Sequence, residues 1–185
     1  MIVHKLGSLV GTEFLPYRYS NVWAMEKTTG PDRLVIAPAS EQVEIMVELG
    51  KGVPEPFGIL YVLVISRLDN ELGRYQNPYP SGRGEMEAFL RRFKEYFEND
   101  GRHHIWITSV PASSTFVYDR HNVIYAYGPL EQSKKILVDR GLKEGVVRFP
   151  SPHSHNYNSQ FDDQEREVLQ YWEWRRTPLE DSDDQ

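Results

Sequence analysis

Residues 115–128 read TFVYDRHNVIYAYG: two short runs of β-branched and aromatic residues on either side of a polar tetrapeptide. Such residues favour a pleated, half-buried surface, and Asp and Asn tolerate the backbone of a tight turn. The pattern predicts a hairpin, with a strand at 115–118, a turn from Asp119 to Asn122 and a strand at 123–127. A hairpin joins antiparallel neighbours, so it sets a limit on how parallel the sheet can be.

Upstream, RLVIAPA (33–39) reads as a strand and SEQVEIMVELGKG (40–52) as a helix. Ser40 stands at its N-cap, Glu41 and Glu44 in its first turn and Gly50 at its stop, with Val43, Met46 and Val47 on one face. PFGILYVLVIS (56–66) follows as a strand apolar on both faces, the mark of a covered central position. These three pieces form a candidate βαβ unit. Combined with the hairpin they predict an α+β fold, a mixed β-sheet with about four helices packed on it, rather than a doubly wound parallel sheet.

Further along, 69–84 is rich in Gly, Pro, Asn and Tyr and reads as a long loop. A helix is expected over 85–99, with Met86, Phe89, Leu90, Phe93 and Phe97 as its apolar stripe and Arg91, Arg92, Glu95 and Glu98 toward water. HHIWITSV (103–110) is a strand. Gly128 and Pro129 open another helix whose apolar face is Leu130, Leu137 and Val138, closed by Gly141 in a left-handed cap under Leu142. GVVRF (145–149) reads as a short strand, and a last helix is expected over 162–174, docked by Val168, Leu169 and Trp172. The expected organisation is one α+β domain over 1–179 and an acidic disordered tail over 180–185.

The charge supports that division. Residues 161–185 hold nine acidic and three basic side chains, so they account for the whole formal net charge of −6, and the body is balanced. A balanced body carries no electrostatic footprint for nucleic acid. The Arg91, Arg92 and Lys94 cluster reads as a solvated helix face. Without cysteine there is no disulfide framework or thiolate chemistry. The longest apolar run, 57–66, is too short for a helical membrane span, and the N-terminus lacks a secretory pattern. The expectation is a cytoplasmic protein without a membrane or nucleic-acid partner; its oligomeric state is not written in the sequence.

No complete dinucleotide fingerprint, phosphate-binding loop, nucleophile elbow or H-E-x-x-H occurs. Asp119 and His121 combine with Ser113 or Ser114 into a triad only on paper. The chemically suggestive stretch is RFPSPHSHNYNSQFDD (148–163). His153 and His155 are two residues apart, so on an extended chain both rings reach one side and can share a divalent ion. Two imidazoles make a weak site. Asp162 and Asp163, or Asp119 and His121 from the hairpin turn, are the candidate further ligands. The first expectation is nevertheless a polar loop stiffened by Pro150 and Pro152, which argue against a regular strand, and the metal site is the alternative. His103 and His104 are adjacent and must point to opposite faces of their strand. Aromatic residues offer contact surface, and Tyr75, Tyr79, His121, Tyr157 and Trp174 are the candidate ligand or partner contacts.

Two functional expectations follow. The first is a non-catalytic binding or interaction domain for a protein or small-molecule partner, which in composition resembles small acidic immunity or regulatory proteins. The alternative is a metal-dependent hydrolase-type enzyme centred on His153 and His155. No cofactor is required by the first; a divalent metal is required by the second.

Overall fold

A computed structural model describes residues 4–184. In chain order the strands are β1 (Leu6–Val10), β2 (Glu13–Pro16), β3 (Val22–Glu26) and β4 (Arg33–Ala37), then helix α1 (Gln42–Lys51). Strands β5 (Phe57–Leu63) and β6 (Gly73–Gln76) precede helices α2 (Arg83–Arg92) and α3 (Lys94–Asn99). Next come β7 (His103–Ser109), β8 (Ser114–Tyr118), β9 (Ile124–Tyr127), helix α4 (Leu130–Asp139) and the two-residue β10 (Lys143–Glu144). The chain closes with β11 (His153–His155), helix α5 (Asp162–Leu169), β12 (Arg175–Thr177) and a 3-10 turn at Asp181–Asp184.

Nine strands form the main sheet in the order β10-β3-β4-β9-β8-β7-β5-β6-β12. A separate three-stranded sheet, β11-β1-β2, lies beside it. The fold is α+β, as the hairpin predicts. All main-sheet pairs are antiparallel except β10 with β3. The candidate βαβ unit is therefore split: β4 and β5 run the same way, but β9, β8 and β7 lie between them. Long-range pairing of the hairpin into the gap decides this, and no local signal in 33–66 encodes it.

The helices cover one face of the sheet. Alternate residues such as Leu34, Ile36, Ile59, Tyr61, Ile105, Phe116 and Ile124 meet the apolar faces of α1, α2 and α3 in the main core. The aromatic stripe from Met86 to Phe97 is buried as expected, though the helix breaks at Phe93, between α2 and α3. Glu98 is drawn inward, where its Oε1 accepts the amide of Val43 at 2.9 Å. That bond satisfies the first turn of α1, whose N-cap is Glu41 in a left-handed conformation (φ 64°) rather than Ser40. The stop of α1 also moves, to Gly52.

Other elements depart from the sequence reading. Val138 is exposed, and Ile136 packs against the core in its place. Residues 145–149 form no strand, whereas 73–76 inside the expected loop form β6. Asn77 holds that loop to β5: its Oδ1 accepts from Ile59 N at 2.8 Å and its Nδ2 donates to Tyr79 O at 2.7 Å. Helix α5 ends at Leu169, so Trp172 and Trp174 escape helical spacing and both turn onto Phe89, at centroid distances of 4.7 and 5.9 Å.

The second face of the sheet is covered only at its ends. At one end Leu6 and Tyr19 pack on Val35, Ala37 and Val123. At the other, where the sequence suggests a disordered tail, the last turn docks. Arg74 Nη1 meets Asp183 Oδ1 at 2.8 Å, and the ring Nε2 of His104 lies 3.1 Å from Asp183 O. The tail's charge is what anchors it, because β6 presents an arginine on that face. Between the two ends a cleft of about 330 Å³ stays open. Among the described residues, no helix is long and apolar enough to cross a membrane.

Candidate metal centre

The β8–β9 turn is built around Asp119. Its buried carboxylate accepts the amides of His121 at 2.9 Å and Val123 at 3.1 Å through Oδ1, and the Nδ1–H of His121 at 3.0 Å through Oδ2. Burial alone would raise its pKa. The hydrogen bond from His121, the His121 and His104 rings and the Val123 amide outweigh burial and hold the carboxyl below its ordinary range. An ionised Asp119 can only accept, so it fixes Nδ1 of His121 as the donor and turns Nε2 toward a ligand.

Strand β11 brings the other two rings. It pairs with β1 in antiparallel register, Leu6 opposite His155 and Ser8 opposite His153, so Ser154 points away and both imidazoles point together. The pair lies on a strand and not in a loop; Pro150 and Pro152 precede the ladder without breaking it. His121 reaches them from the hairpin turn. Ring centroids are 5.1 Å apart for His121–His153, 4.8 Å for His121–His155 and 5.1 Å for His153–His155, with interplanar angles of 70–72°. The three rings thus form a propeller, and one ligand atom from each lies within 4.8 Å of the others.

These residues fit a tetrahedral transition-metal ion. Three imidazole nitrogens on zinc stand about 3.3 Å from one another, so the three rings would have to draw together to hold one. His155 Nδ1 is buried with no hydrogen-bond partner in the protein. Burial, then the charges of Arg120, His121, His153 and Lys5, push the His155 pKa down to about 3. It is therefore neutral at pH 7, the form that ligates.

The segment after β11 is clamped from below. Gly101 N donates to Asn156 O at 2.9 Å, and Asn158 N to Asp100 Oδ2 at 2.6 Å. Beneath them Arg102, fully buried, pairs with Asp100 at 2.8 Å, Glu165 at 2.6 Å and Asp162 at 3.0 Å. Asp162 is consequently a partner of Arg102 and not a third metal ligand. Asp163 is exposed and pairs with Arg166. Both lie outside the histidine propeller, because the carboxylates at the start of α5 serve the buried arginine.

The candidate contact residues divide. His121 joins the propeller, and the Tyr157 hydroxyl accepts from Arg120 Nη2 at 2.7 Å. Tyr75 belongs to the core, its hydroxyl bonded to Glu71 O. Trp174 packs on Phe89 and donates to Val168 O at 2.8 Å. Tyr79 is exposed and does not line the cleft. The paper triad fails on distance: Ser114 starts β8 and Asp119 follows its end, about 16 Å away along a strand. His103 and His104 do face opposite sides, yet both are buried, one among Tyr61, Tyr96 and Phe97 and the other under the last turn.

His121 and Asp119 also line the open cleft, together with Trp106, Val117, Tyr125 and Phe149. No motif marks Trp106 or Val117; strand alternation alone places them on the face opposite Ile105 and Phe116. Comparison with known families, curated proteins and solved structures returns no match for this chain.

Proposed function

We propose that this chain is a metal-dependent enzyme of the hydrolase type, with His121, His153 and His155 as ligands of one divalent ion. The observation that carries the reading is the three-histidine propeller with Asp119 bonded behind His121. A divalent ion held by His121, His153 and His155 would supply Lewis-acid chemistry, lowering the pKa of a water it bound toward neutrality. The protein's own part is positional. Asp119 fixes the His121 tautomer, the β1–β11 ladder aligns the other two rings, and the adjoining cleft gives a substrate access.

Zinc or manganese titrated into tag-free protein tests this. Near-stoichiometric binding that disappears in His121→Ala and in His153→Ala/His155→Ala supports the site. Equal binding by the wild type and these variants removes it.

A non-catalytic interaction domain remains the second reading, favoured by a separate observation. The β1–β2 hairpin exposes Leu9, Val10, Phe14 and Leu15, and β2 is a sheet edge. Exposed edges of this kind accept a further strand. Light scattering of wild type and Phe14→Lys/Leu15→Lys would register the loss of any self-association through it.

A further inference from the structure

Trp106, Val117 and Tyr125 stand in one row across three strands: Trp106 is opposite Val117, and Val117 is opposite Tyr125. All three line the cleft. Neighbouring strands are about 4.8 Å apart, so the two large rings rise about 10 Å from each other with the short valine as floor. A flat ring in contact with a wall on each side needs about 7 Å between the walls. The backbone spacing therefore gives the row room for one ring.

Cations flank both walls, and one of them, Arg33, also lines the cleft. Arg33 comes from β4, beyond Tyr125 in the strand order, and its guanidinium lies 4.3 Å from the Tyr125 ring centroid. Arg74 comes from β6, beyond Trp106, and its guanidinium lies 5.3 Å from the Trp106 ring. A guanidinium held against a ring occupies part of its surface through the ring quadrupole. The surface left toward the cleft favours an aromatic ring, stacked or edge-on. The slot also has distinct ends. Toward the hairpin turn, Asp119 follows Val117 by two residues, about 7 Å, and leads to His121. Toward the other end stand Tyr127 and Arg33, whose Nη1 donates to the Tyr127 hydroxyl at 2.8 Å.

We propose that this cleft is the substrate site and takes a phenolic acid or its ester, the ring between Trp106 and Tyr125, the hydroxyl toward Tyr127 and Arg33, and the carboxyl end at His121, the one of the three histidines that lines the cleft. The carboxyl end rests on the metal reading above; the ring slot does not.

The experiment separates the two. In ¹⁵N-labelled, metal-free protein, p-cresol should shift the Trp106 indole signal saturably. It should bind about tenfold or more tighter than 4-methylcyclohexanol, the free energy of stacking on two ring faces. Val117→Phe, which fills the slot, should abolish that shift and still bind zinc as the wild type does. Where Val117→Phe fails to fold, Tyr125→Leu replaces it and should erase the preference for the aromatic probe. In zinc-loaded protein, 4-hydroxyphenylacetate should outbind p-cresol, and His121→Ala should remove that advantage. Equal binding of the aromatic and saturated probes, or an unchanged cresol shift in Val117→Phe, overturns the slot. Loss of the carboxylate advantage with zinc bound overturns the assigned orientation. Failure of zinc to bind overturns the metal reading, and with it the carboxyl end, whatever the cresol result.

Discussion

Asp119 and His121, two residues apart in one turn, are joined by a 3.0 Å hydrogen bond between a buried carboxylate and a ring nitrogen. The same carboxylate holds the turn's backbone through two amides, so the bend of the hairpin and the aim of the imidazole have a single cause.

Asp119→Asn tests that cause. The amide oxygen can still accept the backbone bonds, but an amide –NH2 facing Nδ1 reverses the tautomer and protonates Nε2. Metal affinity should fall by about 10–100-fold while far-UV circular dichroism is kept. Competition against a chelator measures it, and unaltered affinity would show that Asp119 only shapes the turn.

Arg102→Met should leave Asp100 and Glu165 buried without their counter-ion. The expected cost is about 3–5 kcal/mol in urea unfolding, because a broken buried pair leaves uncompensated charge. A loss below about 1 kcal/mol would show that water reaches these groups.

Phe93→Ala removes a ring packed against Phe89, Phe97 and Tyr171 at the α2–α3 junction. The variant should lose about 3–5 kcal/mol. A near-neutral result would mean that the two helices close over the gap.

Removing residues 180–185 should cost about 1 kcal/mol and expose His104, through loss of the Asp183 contacts to Arg74 and His104. Hydrogen exchange should rise along β6 and β7. An unchanged midpoint and unchanged exchange would mean that the turn does not stay docked.

Acid should weaken the fold before carboxylates titrate. Burial, against the pull of Asp119, depresses the His104 pKa to about 4, and burial holds His103 well below its ordinary value. Below about pH 6.5 the unfolded chain therefore binds protons that the native rings refuse. The stability from His104 is fully present above about pH 6.5 and declines as pH falls toward 4, beyond which it changes no further. Thermal unfolding between pH 7 and 4 should show this slope, and His104→Gln should reduce it, leaving the share of His103 and His155.

The sequence by itself determined most local elements: the 115–128 hairpin, the aromatic stripe at 86–97 and the left-handed cap at Gly141 (φ 83°), whereas His153 and His155 share a side only because β11 pairs with β1. The first three follow from periodicity or turn chemistry within a few residues. Nothing local in the sequence singles out His121 from Asp119, Asp162 and Asp163 as a further ligand. Only the tertiary structure decided that β9, β8 and β7 enter between β4 and β5. That insertion, with β11 laid on β1, carries His121 across more than thirty residues of chain to the other two rings, and the buried charge of Arg102 withdraws Asp162 from them. Side-chain direction is set by the residue's own backbone, whereas the partner it meets is set by burial of apolar faces and compensation of buried charge, which act between segments far apart in sequence.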